Sequence, residues 1–126
     1  MSATTTPVRL VLADDAEELR VLLAAALNRH AQLEVVSTAS DGHAALKAVA
    51  AHRTDVLLLD LSMPHLDGLG VLAELQRRGD PTPVVVLTGY GTEDLADTSR
   101  QAGAAAYVEK GVPVADIADT ILRAAA

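Results

Sequence analysis

Asp55-Val-Leu-Leu-Leu-Asp-Leu-Ser-Met-Pro-His-Leu-Asp-Gly68 is the stretch of the chain that decides the fold. It starts with an apolar run, residues 56–59, of the kind that is buried on both faces of a parallel sheet. The run ends at the carboxylate of Asp60. Pro64 then prevents the strand from continuing, because proline has no N–H and a fixed φ. Open α/β sheets bind ligands at the carboxyl ends of their strands, so we expect Asp60 to be functional.

The alternative for Asp60 is that it only caps the helix whose periodicity begins at Leu66. Six residues separate the two positions, which is too many for an N-cap. Asp67 is better placed to cap that helix. We therefore favour the functional interpretation of Asp60.

The composition fits a single aliphatic domain. The 126 residues are 50% hydrophobic but include no Phe or Trp and only two Tyr, so the core must consist of Leu, Val, Ile and Ala. The net charge of −7 argues against an intrinsic nucleic-acid-binding surface, which needs a basic patch. The absence of Cys excludes disulfides and thiolate metal sites.

The N-terminal residues 1–7 lack the basic and apolar regions of a secretory signal. No apolar run approaches the length that spans a bilayer. We therefore expect a cytoplasmic protein, with a mobile lead-in at residues 1–7 and one domain at residues 8–126.

Short apolar runs alternate with segments of helical periodicity along the whole chain. The predicted strands are Val8–Ala13, Leu33–Ser37, Asp55–Asp60, Val84–Thr88 and Ala104–Lys110. The predicted helices cover about 16–29, 44–51, 66–78, 92–102 and 114–125. This alternation indicates an α/β fold, a doubly wound parallel sheet with helices on both faces.

Polar side chains end four of the predicted strands: Asp14 with Asp15, then Asp60, Thr88 and Lys110. Parallel strands bring these ends to one edge of the sheet. Singly, each has a simpler explanation, such as an ordinary strand-end threonine or a solvated lysine. Asp15, followed by an acid three residues later, resembles a capping box. Together, the five residues are better explained by one site.

Three carboxylates in one crevice repel each other unless a cation lies among them. Lys110 supplies one positive charge, and Mg²⁺ is the hard divalent ion that suits oxygen ligands and leaves positions for phosphate oxygens. Thr88 can donate a hydrogen bond, and Gly89 beside it leaves room for a bulky group. The pattern predicts a site for a phosphoryl group on an aspartate.

The motifs in these positions resemble the receiver domain of two-component response regulators. They are Asp14-Asp15, Asp60-Leu-Ser-Met-Pro-His-Leu-Asp-Gly68, Leu87-Thr88-Gly89, Gly103-Ala104 and Tyr107-Val-Glu-Lys110. The resemblance covers the chain from about Val8 to Arg123. It implies a flavodoxin-like (βα)5 sheet with strand order 2-1-3-4-5.

The resemblance also implies the chemistry of the site. Asp60 would accept a phosphoryl group from a sensor histidine kinase or a phosphotransfer protein. Asp15, Asp60 and the backbone carbonyl of Ser62 would ligate Mg²⁺, with Asp14 acting mainly through water. Lys110 would pair with the phosphoryl oxygens. The protein would then be a switch that does no catalysis beyond its own phosphorylation and slow dephosphorylation.

Further residues would transmit or tune the signal, again by resemblance. Thr88 would move toward the phosphoryl group, and Tyr107 would change rotamer, which alters the face made by the fourth helix, fifth strand and fifth helix. Ser62 and Tyr90 would tune the lifetime of the aspartyl phosphate. The signal would pass to a downstream protein or to a helix-turn-helix output domain. Homodimerisation through the first or fourth helix stays an open alternative.

The sequence differs from the usual receiver pattern at two places, and two other functions are alternatives to a receiver. Gly111 follows Lys110 where receivers have Pro, which leaves open whether that peptide is cis, and the fourth helix has few large apolar residues. A haloacid-dehalogenase-like phosphatase would carry a second acid two residues after the nucleophile, where this chain has Ser62. A receiver-like interaction module that needs no phosphorylation would not require the acid cluster.

Overall fold

The fold is a five-stranded parallel sheet between two layers of helices. The computed structural model describes residues 6–89 and 93–126, and for residues 93–96 the backbone alone. The elements in order are β1 (Val8–Ala13), α1 (Glu17–Asn28), β2 (Leu33–Ala39), α2 (Gly42–Ala51), β3 (Val56–Asp60), α3 (Gly68–Arg77), β4 (Val84–Thr88), α4 (Glu93–Gln101), β5 (Ala106–Glu109) and α5 (Val114–Ala125). The strand order β2-β1-β3-β4-β5 confirms the predicted topology.

Strand β3 lies at the centre of the sheet, and all five of its residues are buried. Its side chains alternate between two aliphatic clusters, because successive strand residues point to opposite faces. Leu57 and Leu59 join the cluster that includes α2 and α3 side chains. Val56 and Leu58 join the cluster that includes α1 and α5 side chains. The run at residues 56–59 is therefore buried on both sides, as its composition predicts.

Helix α2 begins two residues earlier than the sequence indicates. The Asp41 side chain accepts a hydrogen bond from the Ala44 backbone N–H at 2.8 Å, which makes Asp41 the N-cap. Gly42, the first residue of the helix, lies against the backbone of Leu66. A Cβ atom at this position would overlap the Leu66 carbonyl, so glycine is the residue that fits here. The Asp41-Gly42 pair is thus a helix start rather than a simple turn.

The other element boundaries shift modestly from those predicted. Strand β2 continues to Ala39, and β5 is shorter, because only four residues pair with β4. Helix α3 starts at Gly68, and the Asp67 side chain accepts a hydrogen bond from the Gly70 N–H at 2.9 Å, which confirms Asp67 as its cap.

The capping-box interpretation of Asp15 is wrong. The N-cap of α1 is Ala16, and no side chain caps this helix. Asp15 is exposed at the end of β1. Its carboxylate is therefore available to the site at the strand ends rather than committed to a helix terminus.

Helix α4 is fixed at its C-terminal end by a turn and by a contact from α3. Gly103 has a φ of +105°, a conformation that ends the helix. In this turn the Gly103 N–H donates to the Arg100 carbonyl at 3.0 Å, and the Ala104 N–H donates to the Ser99 carbonyl at 2.9 Å. Gln76 Nε2 of α3 donates to the Ala102 carbonyl at 3.0 Å. This end of α4 is tied both to its own turn and to the neighbouring helix.

Among the helices that the structure describes, none combines the length and hydropathy of a bilayer span. The predicted lead-in at residues 1–7 lies largely outside the described residues, which start at Thr6.

Candidate functional site

The carboxylates predicted at the strand ends come together in the structure. Asp14 follows β1 and Asp60 ends β3, and these strands are neighbours, with Ala13 opposite Leu59. Asp14, Asp15 and Asp60 each present an oxygen within 4.8 Å of the others. Asp14 is 0% and Asp60 3% exposed. Two buried acids and one exposed acid thus form an acidic pocket at the carboxyl edge of the sheet.

Lys110 reaches into this pocket from the end of β5. Its Nζ lies 3.1 Å from Asp14 Oδ2 and 3.3 Å from Asp60 Oδ2. Its backbone N–H donates to the Thr88 carbonyl at 2.7 Å, which holds the start of the β5–α5 loop against β4. One ammonium group therefore lies between two buried carboxylates, as the strand-end pattern predicts.

The environment of Asp60 disfavours its charge in the absence of a metal ion. Burial raises the pKa of Asp60, and the nearby Asp14 carboxylate raises it further. The Ser62 N–H, which donates to Asp60 Oδ1 at 3.2 Å, and Lys110 oppose that rise in pKa. For Lys110, burial lowers the pKa, but the contacts with Asp14 and Asp60 outweigh this and leave the pKa raised. The lysine therefore stays charged between the two acids.

Asp14 is held rigidly at the start of the β1–α1 loop. Its Oδ1 accepts a hydrogen bond from the Ala16 N–H at 2.9 Å, and its backbone carbonyl accepts one from Arg20 Nη1 at 2.8 Å. The sequence did not single out Arg20. The sequence signal for this contact is an arginine one turn into a helix, where that helix follows a strand with an acidic end.

The donor set of the pocket fits a hard divalent cation. Asp14 Oδ2 is buried, and among the described residues no donor is aligned to hydrogen-bond it, although the Lys110 ammonium is close enough for an ion pair. The exposed Asp15 supplies a further carboxylate at the mouth of the pocket. Oxygen ligands alone, with water access on one side, are the kind of site that Mg²⁺ occupies.

Thr88 and Gly89 lie where β4 reaches the same edge. Thr88 ends β4 and is 3% exposed, and it is one residue beyond Leu87, which pairs with Asp60. A Cβ atom built at Gly89 would meet no atom of the described residues within 4 Å, so none of these residues fills the space in which the sequence predicts room. Tyr90, predicted to tune the lifetime of the phosphoryl group, lies outside the described residues.

Tyr107 lies on β5 opposite Val86, and its ring is stacked on an arginine. The guanidinium carbon of Arg100 is 4.5 Å from the ring centroid. The sequence did not predict this contact, because Arg100 and Tyr107 belong to different elements and neither carries a local motif for stacking. The structure thus links α4 to β5 at the predicted switch residue.

The peptide bond after Lys110 is trans, since no described peptide bond is cis. Gly111 has φ of +98°, a region that favours glycine. Where the resemblance leads us to expect proline, the chain therefore continues through a trans peptide bond and a glycine with positive φ.

A sequence profile described as the response regulator receiver domain matches residues 10–122 of the chain. The chain belongs to this family. Receiver domains are phosphorylation-controlled signalling switches. The pocket of Asp14, Asp15 and Asp60 in this chain fits the phosphoacceptor site of such a domain. The match favours this family over the phosphatase alternative.

The curated relatives that the chain matches are longer than the chain itself. The receiver is 34% identical over 115 residues to the transcriptional regulatory protein PdtaR of Mycobacterium tuberculosis, covering 91% of this chain and 55% of that protein. It is 44% identical over 110 residues to protein-glutamate methylesterase/protein-glutamine glutaminase 5 of Myxococcus xanthus, covering 86% of this chain and 32% of that one. The chain thus spans from about a third to just over half of these relatives.

Solved structures show the same fold. The signal receiver domain of the response regulator NarL from M. tuberculosis has a TM-score of 0.90 and 33% identity, covering 95% of this chain and 97% of that one. The response regulator domain of Thermotoga maritima CheB, at 21% identity, has a TM-score of 0.86. The flavodoxin-like fold of the receiver is confirmed by both.

Proposed function

We propose that Asp60 is the phosphoacceptor, and that it takes its phosphoryl group from a phosphohistidine of a sensor kinase or a phosphotransfer protein. The observation that carries this proposal is the position of the Asp60 carboxylate. It lies at the end of the central strand, 3.3 Å from Lys110 Nζ and within 4.8 Å of two further acids. No other described aspartate combines these features.

In the transfer step, an oxygen of Asp60 attacks phosphorus and forms an O–P bond. The P–N bond to the imidazole of the donor breaks, and the leaving nitrogen keeps the electron pair. Lys110 offsets the negative charge on the phosphoryl oxygens as they approach. Thr88 donates a hydrogen bond to one of those oxygens, for which the open space at Gly89 leaves room.

Asp14, Asp15, Asp60 and the backbone carbonyl of Ser62 would hold Mg²⁺, with Asp14 acting mainly through water. The buried Oδ2 of Asp14, whose only described partner is the ion pair with Lys110, and the exposed Asp15 support this assignment. When bound, the ion supplies positive charge that neutralises the carboxylates and the phosphoryl oxygens. The protein residues orient Asp60 for attack: Ser62 N–H and Lys110 Nζ each hold one of its oxygens.

The signal leaves through the face formed by α4, β5 and α5. Thr88 moves toward the phosphoryl group, and Tyr107 changes rotamer as it does so. Lys110 connects Asp60 to the Thr88 segment, because its ammonium group pairs with Asp60 and its backbone N–H donates a hydrogen bond to the Thr88 carbonyl. The receiver passes the signal to a downstream protein or to an output domain.

The remaining assignments concern tuning and context. Ser62, which is exposed beside Asp60, and Tyr90 set the lifetime of the phosphoryl group. Residues 8–126 form the receiver unit, which works in the cytoplasm without steady turnover of external phosphate esters. A homodimer through α1 or α4 is compatible with this function.

The test is phosphorylation by acetyl phosphate with Mg²⁺, followed on a phosphate-affinity gel and by intact mass. The wild-type protein gains one phosphoryl group, and Asp60→Asn gains none. Asp67→Asn is the matched control, because Asp67 is a nearby exposed aspartate whose capping role Asn can take over. Labelling that persists in Asp60→Asn would place the acceptor elsewhere.

A further inference from the structure

Arg20, on the first turn of α1, folds its side chain back onto the loop that carries two of the three pocket acids. The residue is half-buried, and its Nη1 donates to the Asp14 carbonyl at 2.8 Å. That carbonyl belongs to the peptide group that joins Asp14 to Asp15. The guanidinium group is therefore bonded to the main chain between the two acids.

The charge of Arg20 has no acidic partner at close range among the described residues. Glu17 lies three residues before Arg20, a spacing at which acids and arginines pair on helices. None of the ion pairs between described residues involves Arg20, however. By charge alone, a cation bonded beside the acidic pocket would weaken the binding of a metal ion there. The hydrogen bond and the charge of Arg20 therefore predict effects of opposite sign.

Asp15 depends on its main chain for its position in the pocket. Its carboxylate is exposed, has an oxygen within 4.8 Å of those of Asp14 and Asp60, and makes no hydrogen bond or ion pair with the described residues. The Asp14 carboxylate, by contrast, is held by the Ala16 N–H and by Lys110. A rotation of the peptide group before Asp15 would therefore carry the Asp15 carboxylate with it.

Two hydrogen bonds hold the main chain at this point. The Asp14 N–H donates to the Ala39 carbonyl at 3.0 Å, which ties the loop to the end of β2. The Asp14 carbonyl accepts from Arg20 and, among the described residues, from no backbone N–H. Helix α1 has no side-chain cap that would hold the loop from the helix side. Arg20 is thus the described tie between α1 and the Asp14–Asp15 peptide group.

We propose that Arg20 is a positioning residue for the metal site. It holds the Asp14–Asp15 peptide group in the orientation in which the Asp15 carboxylate shares a divalent cation with Asp60. This inference rests on the proposed function, which assigns Mg²⁺ to these acids, and it adds the residue that prepares the site. A main chain that is held in advance binds an ion more tightly, because less ordering remains when the ion enters.

The experiment measures the binding of Mn²⁺ to the full chain by electron paramagnetic resonance, in which the signal of free Mn²⁺ falls as the ion binds. Mn²⁺ replaces Mg²⁺ because both ions suit carboxylate, carbonyl and water ligands. Arg20→Met keeps the apolar stem and removes the donor and the charge. Its Kd for Mn²⁺ should rise about tenfold, as is typical when a residue that orients a metal ligand is lost. Loss of the charge alone predicts a lower Kd.

Three further variants complete the comparison. Arg20→Lys keeps a cationic donor and should restore most of the affinity for Mn²⁺. Arg20→Gln is neutral and too short to reach the Asp14 carbonyl, so it should weaken binding as Arg20→Met does, and it takes the place of that variant if Arg20→Met fails to fold. Arg29→Met is the control, because Arg29 is exposed at the far end of α1, and it should bind Mn²⁺ as the wild type does.

Thermal melting in EDTA separates positioning from a purely structural role. An arginine that only anchors the start of α1 would lower the melting temperature of the metal-free protein and leave the Kd for Mn²⁺ unchanged at a temperature where both proteins are folded. In labelling with acetyl phosphate, the MgCl2 concentration that gives half-maximal phosphorylation of Asp60 should rise in Arg20→Met by about the same factor as the Kd.

Three results overturn the proposal: the folded Arg20 variants bind Mn²⁺ as tightly as the wild type or more tightly, Arg29→Met weakens binding equally, or the wild type binds no Mn²⁺. The proposed function is tested separately by the labelling. Absence of phosphorylation at Asp60 together with the expected Kd values refutes the phosphoacceptor assignment and supports the role of Arg20. Normal phosphorylation together with an unchanged Kd does the reverse.

Discussion

Asp60 is a buried carboxylate whose surroundings raise its pKa, chiefly through burial and then through Asp14. A site that binds a cation is expected to have this property, since Lys110 relieves the repulsion between the acids only in part and a further positive charge would relieve the rest. In the metal-free protein, the same repulsion lowers the free energy of unfolding. Function and stability therefore oppose each other at this residue.

Asp60→Asn should make the metal-free protein more stable at pH 7, by roughly 1–3 kcal/mol for one charge removed from a repelling pair in a protein environment. The folded state binds a proton at Asp60 more readily than the unfolded state does. Wild-type stability therefore falls as pH rises from the ordinary carboxyl pKa through the raised one. Urea unfolding at pH 7 and pH 4 should show a larger advantage of the variant at pH 7.

Asp119→Asn is the control for this comparison, because Asp119 is an exposed aspartate on α5. Its stability should match that of the wild type at both pH values. An Asp60→Asn protein that is less stable than the wild type at pH 7 in the absence of Mg²⁺ would refute the electrostatic description of the pocket.

His65 is the one described non-glycine residue with a positive φ, at 67°. This left-handed conformation costs energy for a residue with a Cβ atom. His65→Gly should raise the free energy of unfolding by about 0.5–1 kcal/mol, since the relief of strain exceeds the entropy that glycine loses. His52→Gly, at φ of −124°, should lower it. Thermal melts of the two variants measure the difference, and a destabilised His65→Gly would contradict the strain.

The sequence predicted that the three acids and the lysine lie together, because each comes at or just after the end of a recognisable strand. Parallel strands bring their carboxyl ends together, so the position along the chain determined the position in space. Arg20 and Arg100 escaped prediction, because their partners are a backbone carbonyl and an aromatic ring that only the packed structure brings near. Residue positions that depend on strand ends are thus readable from sequence, and contacts between packed elements are not.

At the scale of elements, α4 is the helix whose C-terminal end is tied down by α3. Gln76 Nε2 donates to the Ala102 carbonyl, and Gly103 completes the terminal turn. The Arg100 stack on Tyr107 adds a contact to β5. A movement of α4 during switching is therefore expected to pivot about this end.

Gln76→Ala should loosen the end of α4 without unfolding the domain. Loss of this exposed hydrogen bond costs about 0.5–1 kcal/mol, so the amides of Gly103 and Ala104 should exchange with solvent roughly two- to fivefold faster. Hydrogen exchange followed by NMR measures this. Gln101→Ala, an exposed change on α4 itself, is the control and should leave both amides unchanged. Equal protection in Gln76→Ala and the wild type would show that Gln76 does not hold the helix.

The element boundaries show which signals in the sequence were decisive. The strands β1 and β4 begin and end as predicted, since continuous apolar runs have sharp limits. Helix α2 starts earlier because Asp41 caps it and Gly42 is accommodated by the Leu66 backbone, a contact between distant segments. Strand β5 is shorter because pairing with β4 covers only four residues.

For the molecule as a whole, we expect folding and cation binding to be linked through the acidic pocket. Mg²⁺ that binds only the folded protein should stabilise it by RT ln(1 + [Mg²⁺]/Kd), about 1.4 kcal/mol at ten times Kd. The melting temperature of the wild type should therefore rise with MgCl2. Asp15→Asn should lose most of that rise, while Asp116→Asn, an exposed change on α5, should keep it. A rise of equal size in Asp15→Asn would exclude Asp15 from the metal site.

Strand β3 ends in Asp60, the proposed phosphoacceptor, and also contributes to both aliphatic layers, with Leu57 and Leu59 on one side and Val56 and Leu58 on the other. A substitution that changes the packing of either layer should shift the β3 backbone and, with it, the position of the Asp60 carboxylate. In genetic terms, alleles that abolish signalling should map to interior aliphatic codons on both sides of the sheet as well as to the acidic codons. Second-site suppressors of such alleles should then arise in the opposite layer.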